Sequence, residues 1–232
     1  MKSKILCIMC VLLVGVSSQA VVINVDFVRN EHPSYETGVG ALTSETGPMF
    51  WNALVGNLDG APVTITNVSD STDTVTDVDI VYTKTNRDAW SADSVQSSTL
   101  TSGQSLMEAY LTTQGAADYV TIQGLTVGSS YDLYLFGHGD NEAQNTQFTV
   151  DGTTLGSTID VTGLTELTLN AHYVIFSSVT ADENGEILIE FAPGPDNEWG
   201  SFNGMQIVEV PEPATLALLG LGGLISLKRR TK

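Results

Sequence analysis

A two-residue hydrophobic rhythm recurs from residue 21 to residue 210 and limits what this chain can fold into. Val63-Thr64-Ile65-Thr66, Val78-Asp79-Ile80-Val81-Tyr82, Tyr119-Val120-Thr121-Ile122-Gln123 and Tyr131-Asp132-Leu133-Tyr134-Leu135-Phe136 set apolar against polar side chains in alternation. Successive side chains of a strand point to opposite faces, so the pattern describes strands buried on one side. Further strands are expected at Val21–Phe27, His172–Val179, Glu186–Phe191 and Gly204–Val210, and Trp51–Val55 reads as a short strand or a turn entry. Asp151-Gly152 joins Gln147–Val150 to Thr153–Leu155 as a tight hairpin, and Asn184-Gly185 is a second turn. Leu106–Leu111 does not alternate and reads as a short helix. Residues 84–105 are polar and irregular, with Trp90 standing out. About ten strands in one stretch describe a single all-β domain, an antiparallel β-sandwich or jelly roll.

Both cysteines, Cys7 and Cys10, fall in the first twenty residues. Lys2 and Lys4, an apolar run from Ile5 to Val16 and the small-x-small site Ser18-Gln19-Ala20 make residues 1–20 a secretory signal peptide. Export by the Sec pathway follows, with Val21 as the mature N-terminus. The mature chain then has no disulfide, cysteine nucleophile or thiolate metal site, so core burial must hold it together.

Of nine Lys+Arg, only Arg29, Lys84 and Arg87 lie in residues 21–210; of 27 Asp+Glu, only Glu212 lies outside it. Three cations against 26 carboxylates give that region a formal charge of −23. Such a surface cannot neutralise phosphates, which excludes nucleic acid and anionic lipid as partners.

No motif in this region carries chemistry by itself. His32, His138 and His172 are not at metal-ligand spacing, and there is no G-x-S-x-G elbow. Glycoside hydrolysis needs two carboxylates about 5–9.5 Å apart, a condition that 26 acidic residues meet by chance. The reading is non-enzymatic, with a glycan hydrolase as the remote alternative. Candidate ligand-binding residues are Trp90, Trp199 and Asn203, whose types pack on and hydrogen-bond to sugars, and His138 and Asp140 in a Gly-flanked loop at a strand end. The run Asp70, Asp73, Asp77, Asp79 offers oxygens to a structural Ca²⁺, but lacks the order of an EF-hand loop; Asp77 and Asp79 alternate with Val78 and Ile80 as the wet face of a strand. No cofactor is expected, and the metal position is left open.

The C-terminus is different in kind. Pro211-Glu212-Pro213 cannot continue a helix. An apolar stretch follows from Ala214 to Leu227, then Lys228-Arg229-Arg230. As a helix, residues 214–227 would span about 21 Å, short of the roughly 20 residues that cross a bilayer, but enough to lodge transiently in the inner membrane with the basic cluster on the cytoplasmic side. These features in this order resemble a PEP-CTERM sorting signal. The resemblance implies processing near Pro211-Glu212-Pro213 by an exosortase in a Gram-negative host that makes exopolysaccharide. It divides the chain into a signal peptide (1–20), a β-sandwich domain (21–209) and a sorting signal (210–232).

A second resemblance spans most of the domain. Ile23-Asn24-Val25-Asp26-Phe27, Tyr131–Gly137 and Phe202-Asn203-Gly204-Met205-Gln206-Ile207 are similar to segments of galactose-binding-domain-like jelly rolls, including malectin-like and carbohydrate-binding modules. It implies a β-sandwich whose loops at one end often hold sugar, sometimes with a structural Ca²⁺, and it transfers no ligand residue. The expected product is therefore an exported protein of the cell envelope, surface or extracellular matrix. The alternative is a carbohydrate-binding module for exopolysaccharide or another glycan.

Overall fold

The computed structural model describes residues 20–28, 36–42, 47–55, 62–83, 89–91, 100–101, 103–139, 144–156 and 164–211, with only the backbone described for 89–91. The signal peptide before Ala20, the apolar stretch 214–227, Lys228, Arg229, Arg230, Glu212, Pro213 and Asp140 lie outside the described residues.

Fourteen strands are described: β1 (Val22–Val28), β2 (Asn52–Val55), β3 (Val63–Ile65), β4 (Asp79–Thr83), β5 (Ala89–Ser91), β6 (Ala109–Gln114), β7 (Asp118–Gln123), β8 (Ser130–Phe136), β9 (Thr146–Val150), β10 (Thr153–Gly156), β11 (Tyr173–Thr180), β12 (Ile187–Pro193), β13 (Trp199–Phe202) and β14 (Gly204–Glu209). They form a five-stranded sheet in the order β11-β8-β14-β1-β2, a six-stranded sheet β10-β9-β12-β7-β4-β3 and a small sheet β13-β6-β5. From β7 onward the chain passes back and forth between the two large sheets, as in a jelly roll. All pairings are antiparallel except β1 with β2, which run parallel.

The alternation explains the sandwich. Val120 and Ile122 of β7, Ile187, Ile189 and Phe191 of β12, and Leu133 and Leu135 of β8 enter one shared core. Tyr119, Thr121, Gln123, Leu188 and Glu190 take the opposite face of the six-stranded sheet. Phe202 sits at the centre of an aromatic group, edge-on to Phe27 and Phe148 with ring centroids 4.8 Å away in each case. Such pairs add about 0.5–1.5 kcal/mol each beyond the area they bury.

Two expectations change. Leu106–Leu111 is not a helix: Ser105–Met107 make one 3-10 turn, and Ala109 onward is β6. Tyr110 and Leu111 are buried like their neighbours, because β6 has packing on both faces, and this erases the period-2 signal. No strand is expected around Trp199, yet Trp199–Phe202 form β13, paired with β6 from Trp199↔Gln114 to Phe202↔Leu111.

β1 is also buried along its whole length. Its outer face carries Asn24 and Asp26, covered by residues 36–42. The Gln206 side chain accepts from the Ala41 N–H at 2.8 Å and donates to Asn24 Oδ1 at 2.9 Å and the Val39 carbonyl at 3.1 Å. Asp26 Oδ2 accepts from the Glu36 N–H at 3.0 Å, and Trp51 Nε1 donates to the Gly38 carbonyl at 2.9 Å.

Candidate functional site

A cavity of about 600 Å³ lies on the outer face of the six-stranded sheet. It opens where β9 turns away at Asp151-Gly152 while β12 continues past it: Val150 pairs with Ile189, leaving Leu188 and Ile187 beyond the end of β9. Asp151 and Gly152 both have positive φ, 48° and 70°, as a tight two-residue hairpin turn requires. The opposite rim is formed by Val179, Thr180 and Asp182.

The floor is built by register. Thr121 lies opposite Leu188, and Thr149 opposite Glu190, on adjacent rungs of the same face. Leu188 is 53% exposed, an unusual state for a leucine in the middle of a sheet. Several polar groups around it are already fixed. Glu186 Oε1 accepts from Gln123 Nε2 at 2.9 Å, and the Thr149 and Thr154 hydroxyls lie 2.9 Å apart. Asp182 Oδ1 accepts from the N–H groups of Asn184 and Glu186 at 2.8 Å each, which holds its carboxyl below the usual range and keeps it charged. Glu190, Asp151 and Thr121 also line the cavity, and their side chains make no hydrogen bond to other described residues. No sequence motif marks this site, because its residues come from separate strands and turns; the only signal was the outward set Thr121, Leu188 and Glu190.

The residues singled out from sequence lie elsewhere. Asn203 and His138 come together and are fully buried: Asn203 Oδ1 accepts from the His138 N–H at 2.8 Å, and its Nδ2 donates to the Ala109 carbonyl at 3.0 Å. His138 Nδ1 lies 2.8 Å from the Gly139 carbonyl. Trp199 is half-buried on β13, beside Gln114, whose Nε2 donates to Glu198 Oε1. The backbone of Trp90 pairs with Tyr110 on the other side of β6. Asn203, His138 and Trp199 do not line the cavity.

Two of the four carboxylates offered to Ca²⁺, Asp70 and Asp79, are engaged by nearby N–H groups. Asp70 Oδ1 accepts from the Thr72 and Thr74 N–H groups at 2.8 and 3.0 Å, and Asp79 Oδ1 from the Asn67 N–H at 2.8 Å. Asp26 Oδ1 is buried without a partner, yet among the described residues no three His, Cys, Asp or Glu side chains are arranged to hold a metal ion.

β14 lies between β8 and β1, and just past it the Val210 N–H donates to the Ser130 carbonyl at 2.8 Å. Residues 209–232 match the PEP-CTERM protein-sorting motif. The motif marks an exported protein processed at the cell envelope. Among the described residues no helix is long and apolar enough to cross a membrane.

No curated protein matches the chain. Among solved structures, it is similar to the ANX1 ectodomain from Arabidopsis thaliana at 12% identity and a TM-score of 0.40, over 64% of this chain and 54% of that one. It thus spans about half the length of that ectodomain. It is also similar to the CBM36-1 domain of a multidomain xylanase from the hindgut metagenome of Trinervitermes trinervoides, at 15% identity and a TM-score of 0.34, over 56% of this chain and 95% of that one. A third is TmCBM61 in complex with β-1,4-galactotriose, at 14% identity and a TM-score of 0.30, over 57% and 88% of the two chains.

Proposed function

We propose that this chain is a non-catalytic exported protein of a Gram-negative envelope or extracellular matrix. It is secreted through the Sec pathway and cut by an exosortase near Pro211-Glu212-Pro213. The observation that carries this is the sorting motif at residues 209–232, which begins where the last strand ends. The folded domain is then cargo, with residues 214–227 lodged in the inner membrane only until processing. The charge of −23 over residues 21–210 suits a domain displayed in water beside a polymer matrix. The test is intact mass and fractionation of the native protein from its host, with the exosortase present and deleted. The expected result is loss of the chain beyond about Val210 only when the exosortase is present. A full C-terminus retained in the membrane fraction in both strains would overturn the proposal.

A second reading, carbohydrate binding, is favoured by the cavity on the six-stranded sheet. Its rigid strand floor, free hydroxyl and carboxylate groups and exposed leucine suit a ligand that offers both C–H and O–H surface.

A further inference from the structure

We propose that the cavity between the Asp151-Gly152 turn and β12 holds a stretch of an uncharged glycan chain and rejects glycans that carry uronate. This rests on the carbohydrate-binding reading and names its ligand class and residues.

The floor is rigid. β12 is paired with β7 from Ile187 to Phe191 and with β9 from Ile189 to Pro193, and Ile187 and Ile189 root it in the core. The side chains above it are therefore held in place before a ligand arrives, which lowers the ordering cost of binding.

The chemistry is that of a sugar ring. A pyranose presents an apolar C–H face and a rim of hydroxyls. Leu188 supplies a flat aliphatic contact, and Thr121 lies directly opposite it. One rung further, about 7 Å along the strand, Glu190 supplies strong acceptors beside Thr149. Asp151 supplies another acceptor from the turn. Glu186 and Asp182 are braced by Gln123 and by the turn after β11, so they shape the rim and its charge.

An extended peptide is the poorer occupant. Peptides that add to sheets do so through a free strand edge. β7 and β9 have partners on both sides, and β12 lacks β9 only over Ile187 and Leu188, so the cavity offers side chains and an open edge of just two residues, too short to add a strand.

The charge sets selectivity. Asp151, Asp182, Glu186 and Glu190 line the cavity, and among the described residues no Lys, Arg or His does. A carboxylate on the ligand would meet like charge from several directions, with no cation among the described lining residues to offset it. A hydroxyl donates to the same groups.

The test is affinity electrophoresis of the purified full-length protein in gels containing neutral polysaccharides (galactan, xylan, laminarin) or uronate polymers (alginate, polygalacturonate). Glu190→Gln and Leu188→Ala change exposed or half-buried side chains, and thermal melts confirm that each variant is folded. Trp199→Ala is the control away from the cavity. The expected result is retardation by at least one neutral polymer and by neither uronate polymer. Affinity should fall at least about tenfold in each cavity variant and stay within about twofold in Trp199→Ala. Stronger retardation by a uronate polymer would overturn the ligand class. Loss in Trp199→Ala with unchanged cavity variants would overturn the site while leaving carbohydrate binding standing. No retardation by any polymer would overturn both.

Discussion

The side chain of Asn203 ties two corners of the sandwich together, accepting from the His138 N–H at 2.8 Å and donating to the Ala109 carbonyl at 3.0 Å. It sits where the chain leaves β13 for β14, and its backbone is used as well. Its N–H donates to Phe136 and its carbonyl accepts from Phe27. Removing the amide takes these bonds from a buried donor and a buried acceptor, each costing about 1–3 kcal/mol. Asn203→Ala is therefore expected to lower the urea midpoint clearly with an unchanged slope. A midpoint equal to wild type would show that water replaces both bonds.

Much of the sandwich was legible because half-buried strands announce themselves. Tyr119–Gln123 and Tyr131–Phe136 keep one wet face, and their alternation survives. Where the second face is covered, the signal goes. Tyr110 and Leu111 are both buried, so β6 read as a helix, and β13 hid among the polar residues around Trp199. Asn24 and Asp26 alternate with the apolar residues of β1 but lie beneath residues 36–42 rather than in water. The cavity was not legible, because Thr121, Asp151 and Glu190 meet only through sheet register. The sorting tail was legible because its order is local.

Asp26 should make the domain less stable as pH rises. Burial, opposed by the hydrogen bond from the Glu36 N–H and reinforced by the Glu36 and Glu108 carboxylates, pushes its carboxyl well above the usual range. The folded state then binds a proton that the unfolded chain has already released. Stability falls from about pH 4 up to the folded value, then levels. Asp26→Asn mimics the neutral acid. It is expected to melt above wild type at pH 8, with the gap closing at pH 4. A gap that is the same at both pH values would contradict this.

His172 acts in the opposite direction. Burial first, then the neighbouring His138, lowers its pKa to about 4. Its Nδ1 accepts from the Thr168 N–H at 3.0 Å, a bond that only the neutral ring can make. The unfolded chain takes up a proton near pH 6.5 that the folded one refuses until about pH 4. The His172 contribution is complete above pH 6.5 and is lost as pH falls through that window. In melts between pH 7 and 4.5, His172→Gln should lose less stability on acidification than wild type, whatever its starting value. Parallel curves would remove His172 as the cause.

The position of β14 fixes where processing can occur. The strand is hydrogen-bonded to β8 on one side and β1 on the other, with Met205 and Ile207 buried in the core. A cut before Gly204 would take out the centre of the five-stranded sheet. A cut after Val210 spares every strand, because Ala20–Val210 is one unit and its last bond is Val210 to Ser130. A chain ending at Val210 should melt in one cooperative step, and a chain ending at Asn203 should not fold. Limited proteolysis of the full-length protein should likewise leave a fragment ending at or just beyond Val210. A stable fragment that lacks β14 would contradict the sheet order, and with it the placement of the exosortase cut on the tail side of Val210.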